Sequence, residues 1–159
     1  MRREAADGRR KPRVRRARPD DAQAIYDLER HFPSDQMTLR SVRDFLRSPR
    51  ASVWIAQVEA GHVAGNLILL TRARSHTSRI YSVVVDPVAR GRGIAQRLLH
   101  AAETAACKLG IAAITLEVRA DNAAARALYR KQGYAEIRTL PGFYDDGADG
   151  LKLRKALLP

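Results

Sequence analysis

The chain reads as one mixed α/β domain, and three observations lead there. Its 159 residues suit a single hydrophobic core. Its second half alternates apolar strand patterns with amphipathic helix patterns, the order of a sheet carrying helices. Between "VVVDP" and a helical run from Ile94 stands "ARGRG", a glycine turn placed where a strand gives way to a helix.

Taken in order, "PRVRRAR" over 12–18 makes a short first strand around Val14 and Ala17. Pro19-Asp20-Asp21 is a helix start, and Ala24, Ile25, Leu28 and Phe32 follow at helical spacing up to Pro33. "SDQMT" is a loop, and Leu39, Val42, Phe45 and Leu46 mark a second short helix ended by Ser48-Pro49. "ASVWIAQVE" and "HVAGNLILLT" form an antiparallel hairpin around Ala60-Gly61. "RIYSVVV" is a strand buried on both faces.

The helix after the glycine turn carries Ile94, Leu98, Leu99, Ala102, Ala105, Ala106 and Leu109 on one side, and Gly110 closes it. "AAITLEV" is the next strand. Asp121-Asn122 opens a helix from Ala123 to Gln132, closed by Gly133. "YAEIRTL" and "LKLRKAL" are two closing strands around the loop "PGFYDDGADG". Trp54 belongs to the core, and Cys107, the only cysteine, reads as a small buried residue on its helix.

Composition excludes several classes. No apolar run reaches the ~20 residues of a membrane span, and the start has no signal-like apolar region. A lone cysteine permits no internal disulfide and no cysteine-rich metal site. The four histidines, His31, His62, His76 and His100, show no ligand spacing, so no metal is expected. The expected location is the cytoplasm.

Net charge is +12, and residues 1–18 alone carry +7. Residues 1–11 read as a basic disordered tail, ahead of a domain over 12–159. Two readings stand for that tail: weak contact with ribosome, RNA or an acidic partner, or a solvated segment without a role.

The glycine turn is an anion site in waiting. Backbone N–H groups of a tight turn, joined by the unpaired N–H groups of a helix start, favour a phosphate. A P-loop is excluded because Ile94-Ala95 follows Gly93 instead of Lys-Ser/Thr. A dinucleotide fingerprint is excluded because Gln96 stands where its third glycine belongs.

Arg90-Gly91-Arg92-Gly93-Ile94-Ala95, set between "VVVDP" and "LEVRADNAAARALYRKQGY", resembles the acetyl-coenzyme A signature of the GNAT superfamily of N-acetyltransferases. The likeness spans the chain from about Pro12 to Leu158 and is greatest to bacterial enzymes that acetylate a ribosomal protein's N-terminal alanine. It implies a mixed, mostly antiparallel sheet flanked by about four helices, with acetyl-CoA as co-substrate and a primary amine as acceptor. By the same likeness, Arg90, Gly91, Arg92, Gly93, Ile94 and Ala95 hold the pyrophosphate, mainly through main-chain N–H groups. The main chain of Val83, Val84 and Val85, with Asn122, holds the pantetheine arm. Asn122 reads equally well as a helix N-cap.

Acyl transfer to an amine needs a base for the incoming nitrogen and an acid for the leaving thiolate. Alternation sets Thr115 and Glu117 on one face of their strand and Ile114, Leu116 and Val118 on the other. A carboxylate near the end of a buried strand needs a reason. The resemblance makes Glu117 the base, acting through water; a structural ion pair with Arg119 or Arg126 is the alternative. Likewise the resemblance makes Tyr129 the acid, where a core role is the alternative.

For the acceptor, the resemblance points to two loops, "HFPSDQM" and "PGFYDDGADG", with Phe32 and Tyr144 as contacts. Asp145, Asp146 and Asp149 either attract a cationic amine or shape turns. The leading reading is an enzyme acting on a protein N-terminal α-amine. Acetylation of lysine or of a small amine such as an antibiotic or polyamine, and a non-enzymatic coenzyme A-binding module, are the competitors.

Overall fold

The computed structural model describes residues 11–32 and 37–157. The basic tail up to Arg10 and Pro33–Gln36 of the first acceptor loop lie outside them. The strands are β1 (Arg13–Arg16), β2 (Ala51–Gln57), β3 (Val63–Thr71), β4 (Thr77–Val85), β5 (Ala113–Arg119), β6 (Ala135–Leu140) and β7 (Gly150–Ala156). The helices are α1 (Ala22–Glu29), α2 (Leu39–Arg47), α3 (Ile94–Lys108) and α4 (Ala123–Lys131). The seven strands form one mixed sheet in the order β1-β2-β3-β4-β5-β7-β6, and the chain divides into two compact units.

The first unit runs to Ile68 and resumes over Ser82–Ala102. β1 pairs antiparallel with β2, Arg13 opposite Gln57 and Arg16 opposite Trp54. The Arg16 guanidinium lies 4.8 Å from the centre of the buried Trp54 ring. Pro19–Asp21 forms a single 3-10 turn ahead of α1, where the Asp21 carboxylate accepts from Arg18 N at 2.6 Å and from both terminal nitrogens of Arg15 at 2.9 Å. Ala22, Ile25 and Leu28 then bury the helix. Thr38 caps α2 by accepting from Ser41 N at 3.0 Å. Ile25, Val42, Ile55, Leu67, Ile68, Ile94, Leu98 and Leu99 are almost wholly buried and form this unit's core.

The second unit comprises Leu69–Tyr81 and the chain from Glu103 onward. β4 runs parallel to β5, with Thr77–Arg79 in register with Ala113–Thr115. β5 pairs antiparallel with β7, which sets Leu116 opposite Leu153, Ile114 opposite Lys155 and Glu117 opposite Lys152. β6 adds Glu136 opposite Leu153. Opposed residues share a face, so Ile114, Leu116, Leu153, Lys155 and Glu136 stand on one side of the sheet. Both helices of this unit meet that side: Lys155 Nζ donates to Glu103 of α3 at 2.8 Å, and Arg126 of α4 donates to Glu136 at 2.8 Å. Thr115 and Glu117 stand on the other.

Two expectations for α3 are corrected. Its buried stripe is Ile94, Leu98, Leu99, Ala102 and Ala106. Cys107 sits about 100° around the helix from Ala106 and is exposed, not buried. Leu109 lies beyond the end of the helix, beside the left-handed Gly110, and is 76% exposed.

Candidate active site

In the first unit the site residues gather around the end of β4. Asp86 closes the strand: its main-chain N–H donates to Ala64 O at 2.7 Å, and its Oδ1 accepts from Val88 N at 3.0 Å. Its Oδ2 lies 3.1 Å from His62 Nε2. The Val88 N–H, seconded by His62, holds the Asp86 carboxyl below its ordinary range. This cap fixes the chain just before the glycine turn.

Gly91 and Gly93 both adopt left-handed backbone, φ 81° and 71°, which side chains with a Cβ resist. A Cβ at either would meet nothing within 4 Å, so the turn needs glycine for its backbone conformation and not for internal space. Arg97 N donates to Gly93 O at 3.1 Å, the first helical bond of α3. The N–H groups ahead of Arg97 therefore belong to the helix start, which favours an anion. Arg90 and Arg97 are exposed. The Arg92 guanidinium pairs with Glu59 at 3.0 Å, so what Arg92 offers the turn is chiefly its main chain. Ile94 is buried and Ala95 half-buried.

Four residues behind this turn escaped the sequence reading: Gly65, Glu29, Asn66 and Ser82. A Cβ on Gly65 of β3 would come within 2.8 Å of Ile94 Cγ2 and 3.2 Å of Val84 O. Glycine here lets the first turn of α3 lie directly on β3. Beneath the Val83–Val85 segment, Ser82 Oγ donates to Glu29 Oε1 at 2.8 Å, and Asn66 Nδ2 donates to the same oxygen at 3.2 Å. Glu29 and Asn66 are buried, and Asn66 Oδ1 has no hydrogen-bond partner. The available signal was a glutamate in the buried stripe of α1, four residues after Ile25. Val84 is buried, and Val83 and Val85 are half-buried. Phe32 is half-buried at the turn after α1, with its N–H donating to Glu29 O at 2.9 Å.

In the second unit, Glu117 Oε2 and Oε1 accept from Arg79 Nε at 2.9 and 3.1 Å. The partners considered from the sequence are engaged elsewhere: Arg126 with Glu136, and Arg119 with Asp121 and Asp146. Tyr129 of α4 is buried and meets Tyr134 edge to face. Burial pushes its phenol up to about 12. Because α4 meets the Leu116 side of the sheet, Glu117 and the helix bearing Tyr129 lie on opposite sides of β5. Asn122 caps α4, with Oδ1 accepting from Ala125 N at 3.0 Å.

Tyr144 sits in the β6–β7 loop with the Arg119 guanidinium 5.0 Å from its ring centre. Asp146 accepts from Arg119 at 2.7 Å and from Ala148 N at 3.0 Å, while Asp149 accepts from Gly142 N at 2.9 Å. Two of the three loop aspartates thus shape the loop. Among the described residues no group of three or more His, Cys, Asp or Glu side chains is placed to hold a metal. No helix there is long and apolar enough to cross a membrane.

A strand, a left-handed glycine turn and a helix start together favour an anion, and comparison with known proteins gives the family. Residues 20–134 match the Acetyltransferase (GNAT) family. The chain belongs to that family, and membership implies use of acetyl-CoA. An uncharacterized N-acetyltransferase of Methanocaldococcus jannaschii is 28% identical over 147 residues, covering 89% of this chain and 90% of that protein. The N-alpha-acetyltransferase RimI of Mycobacterium tuberculosis is 39% identical over 77 residues, 48% of this chain and 47% of that protein. An uncharacterized Mycobacterium leprae protein is 43% identical over 77 residues, 48% of this chain, and the match spans only 21% of that protein's length.

Among solved structures, Ard1 from Thermoplasma volcanium superposes with a TM-score of 0.86 at 25% identity, covering 94% of this chain and 100% of that one. The ribosomal-protein-S18-alanine N-acetyltransferase of Escherichia coli shares the fold, with a TM-score of 0.83 at 23% identity over 93% of this chain and 95% of that one.

Proposed function

We propose that this chain transfers the acetyl group of acetyl-CoA to a protein N-terminal α-amine. The observation that carries the reading is the pairing of opposite proton chemistries across β5. Glu117, whose carboxylate is ion-paired to Arg79, faces one side. The buried phenol of Tyr129, protonated at neutral pH, belongs to a helix on the other. Transfer needs both a base and an acid, because the amine loses a proton as it attacks and the thiolate gains one as it leaves.

In this reading Glu117 accepts a proton from the attacking amine through a water. The new bond joins the amine nitrogen to the acetyl carbon, and the carbon–sulfur bond breaks. Tyr129 gives its proton to the departing sulfur and regains one from solvent. The turn from Arg90 to Ala95 binds the pyrophosphate, and left-handed glycines ahead of a helix start suit a diphosphate. Val83–Val85, which lie beyond the β4–β5 register, and Asn122 bind the pantetheine arm.

The N-terminal acceptor is supported by the likeness to the mycobacterial N-alpha-acetyltransferase. It is also supported by the loop aspartates: Asp146 is committed to Arg119 and Asp149 to Gly142, which weakens the case for a cationic small-molecule pocket. A free α-amine has a pKa near ~8, against ~10.4 for lysine, so it asks less of a carboxylate base.

The test offers acetyl-CoA and an alanine-initiated peptide with an internal lysine, and maps the product by mass spectrometry. Acetyl on the α-amine supports the reading. Acetyl on lysine alone, or none with coenzyme A binding demonstrated, overturns it. Glu117→Gln and Tyr129→Phe are each expected to lower kcat at least tenfold with acetyl-CoA binding retained.

A further inference from the structure

Arg79 stands at the last position of β4 in register with β5, opposite Thr115, and its side chain reaches two residues further along to Glu117. One nitrogen, Nε, addresses both carboxylate oxygens, at 2.9 and 3.1 Å. The other side of the guanidinium is steadied by the Tyr81 ring, 5.9 Å away. The Glu117 side chain is 15% exposed and that of Arg79 is 45% exposed, so the pair is shielded at the carboxylate and open at the cation.

The groups facing Glu117 in this unit come from strands. They are Arg79 and Tyr81 of β4, Lys152 and Arg154 of β7 and, on its own strand, Arg119. Both helices of the unit meet the opposite side of the sheet. Arg119 is neutralised by Asp121 and Asp146. That leaves Arg79 as the cation in contact with the carboxylate and Lys152 as the cation opposite it in register.

We propose that Arg79 is the positioning residue for Glu117, fixing the aim of its carboxylate and turning away acceptors that arrive as ammonium ions. This rests on the reading of Glu117 as base. A cation beside the carboxylate opposes a second positive charge, so the acceptor that profits is an amine already neutral in appreciable fraction at working pH. That describes an α-amine better than a lysine.

The test compares wild type with Arg79→Met and Arg79→Lys, all as full chains. One readout is kcat and KM for an alanine-initiated peptide, alongside the KM for acetyl-CoA. The other is the ratio of α-amine to lysine product on an alanine-initiated peptide with an internal lysine. Arg79→Met is expected to lower kcat for the α-amine at least tenfold and to raise the share of lysine product. Arg79→Lys should restore most of both, and the acetyl-CoA KM should stay unchanged in each variant. An unchanged kcat and product ratio in Arg79→Met overturns the assignment to Arg79. A Glu117→Gln variant with the kcat of wild type overturns Glu117 as the base, and with it any part of Arg79 in transfer.

Discussion

Tyr129 and Tyr134 meet edge to face, ring centres 5.8 Å apart at an interplanar angle of 70°. Burial raises both phenols above the ordinary tyrosine range, and for Tyr134 the hydrogen-bonded Glu103 carboxylate adds to the effect. A raised phenol keeps its proton in the folded chain after the unfolded chain has lost it. Its stabilisation is full below pH ~10 and falls away as pH rises toward about 12. Wild type should therefore lose ~1.4 kcal/mol of stability per pH unit from Tyr129 over that window. In Tyr129→Phe this part of the alkaline loss disappears, leaving that of Tyr134. Urea unfolding at pH 8, 10 and 11 measures the difference.

Gly65→Ala tests the seat of the pyrophosphate turn. The added methyl would stand 2.8 Å from Ile94 Cγ2 and 3.2 Å from Leu98 Cδ1, so the start of α3 must shift. Overpacking of this kind costs about 1–3 kcal/mol. Coenzyme A affinity should weaken several-fold by calorimetry, because the displaced helix turn is the proposed anion site. Unchanged affinity alongside lowered stability would separate the seat of the helix from the binding of the ligand.

How much of this was readable beforehand follows from how local each feature is. The glycine turn was legible because left-handed backbone before a helix has few solutions, and two glycines in three positions announce it. The cap role of Asn122 was legible for the same reason. The Arg79–Glu117 pair was not, since its members are 38 residues apart and meet only through a parallel strand pairing that neither residue encodes. Gly65 looked like any glycine in a hairpin strand, because the atoms that crowd it are side chains of α3 and a main-chain oxygen of β4. Cys107 was misjudged because its neighbours in sequence are apolar while the buried stripe passes to one side of it.

Glu29→Ala removes the carboxylate that ties α1 to Asn66 and Ser82. Asn66 and Ser82 lose their acceptor, a change worth about 2–6 kcal/mol at ~1–3 kcal/mol per group left unsatisfied. Glu29→Gln keeps an acceptor oxygen in place and should cost less. Chemical denaturation of the two variants ranks them.

Arg119→Met addresses the β6–β7 loop. Its ion pairs are solvent-screened, so stability should change little. The Tyr144 ring and Asp146 both lose their anchor, however, so the peptide KM should rise about tenfold while the acetyl-CoA KM holds. Asp146→Asn should do the same more weakly. Steady-state kinetics with each substrate varied in turn distinguishes loop anchoring from a general loss of activity.

The outward-facing Cys107 has a consequence at the bench. A transferase of this kind is naturally followed by the free thiol it releases, using a colour-forming disulfide reagent. One surface sulfhydryl per chain will react with the same reagent, giving an enzyme-proportional burst before any turnover. Replacing Cys107 with Ser should erase that burst and leave the steady slope intact. Retained, the same sulfhydryl gives a single attachment point for a fluorophore at the far end of α3, away from its glycine turn.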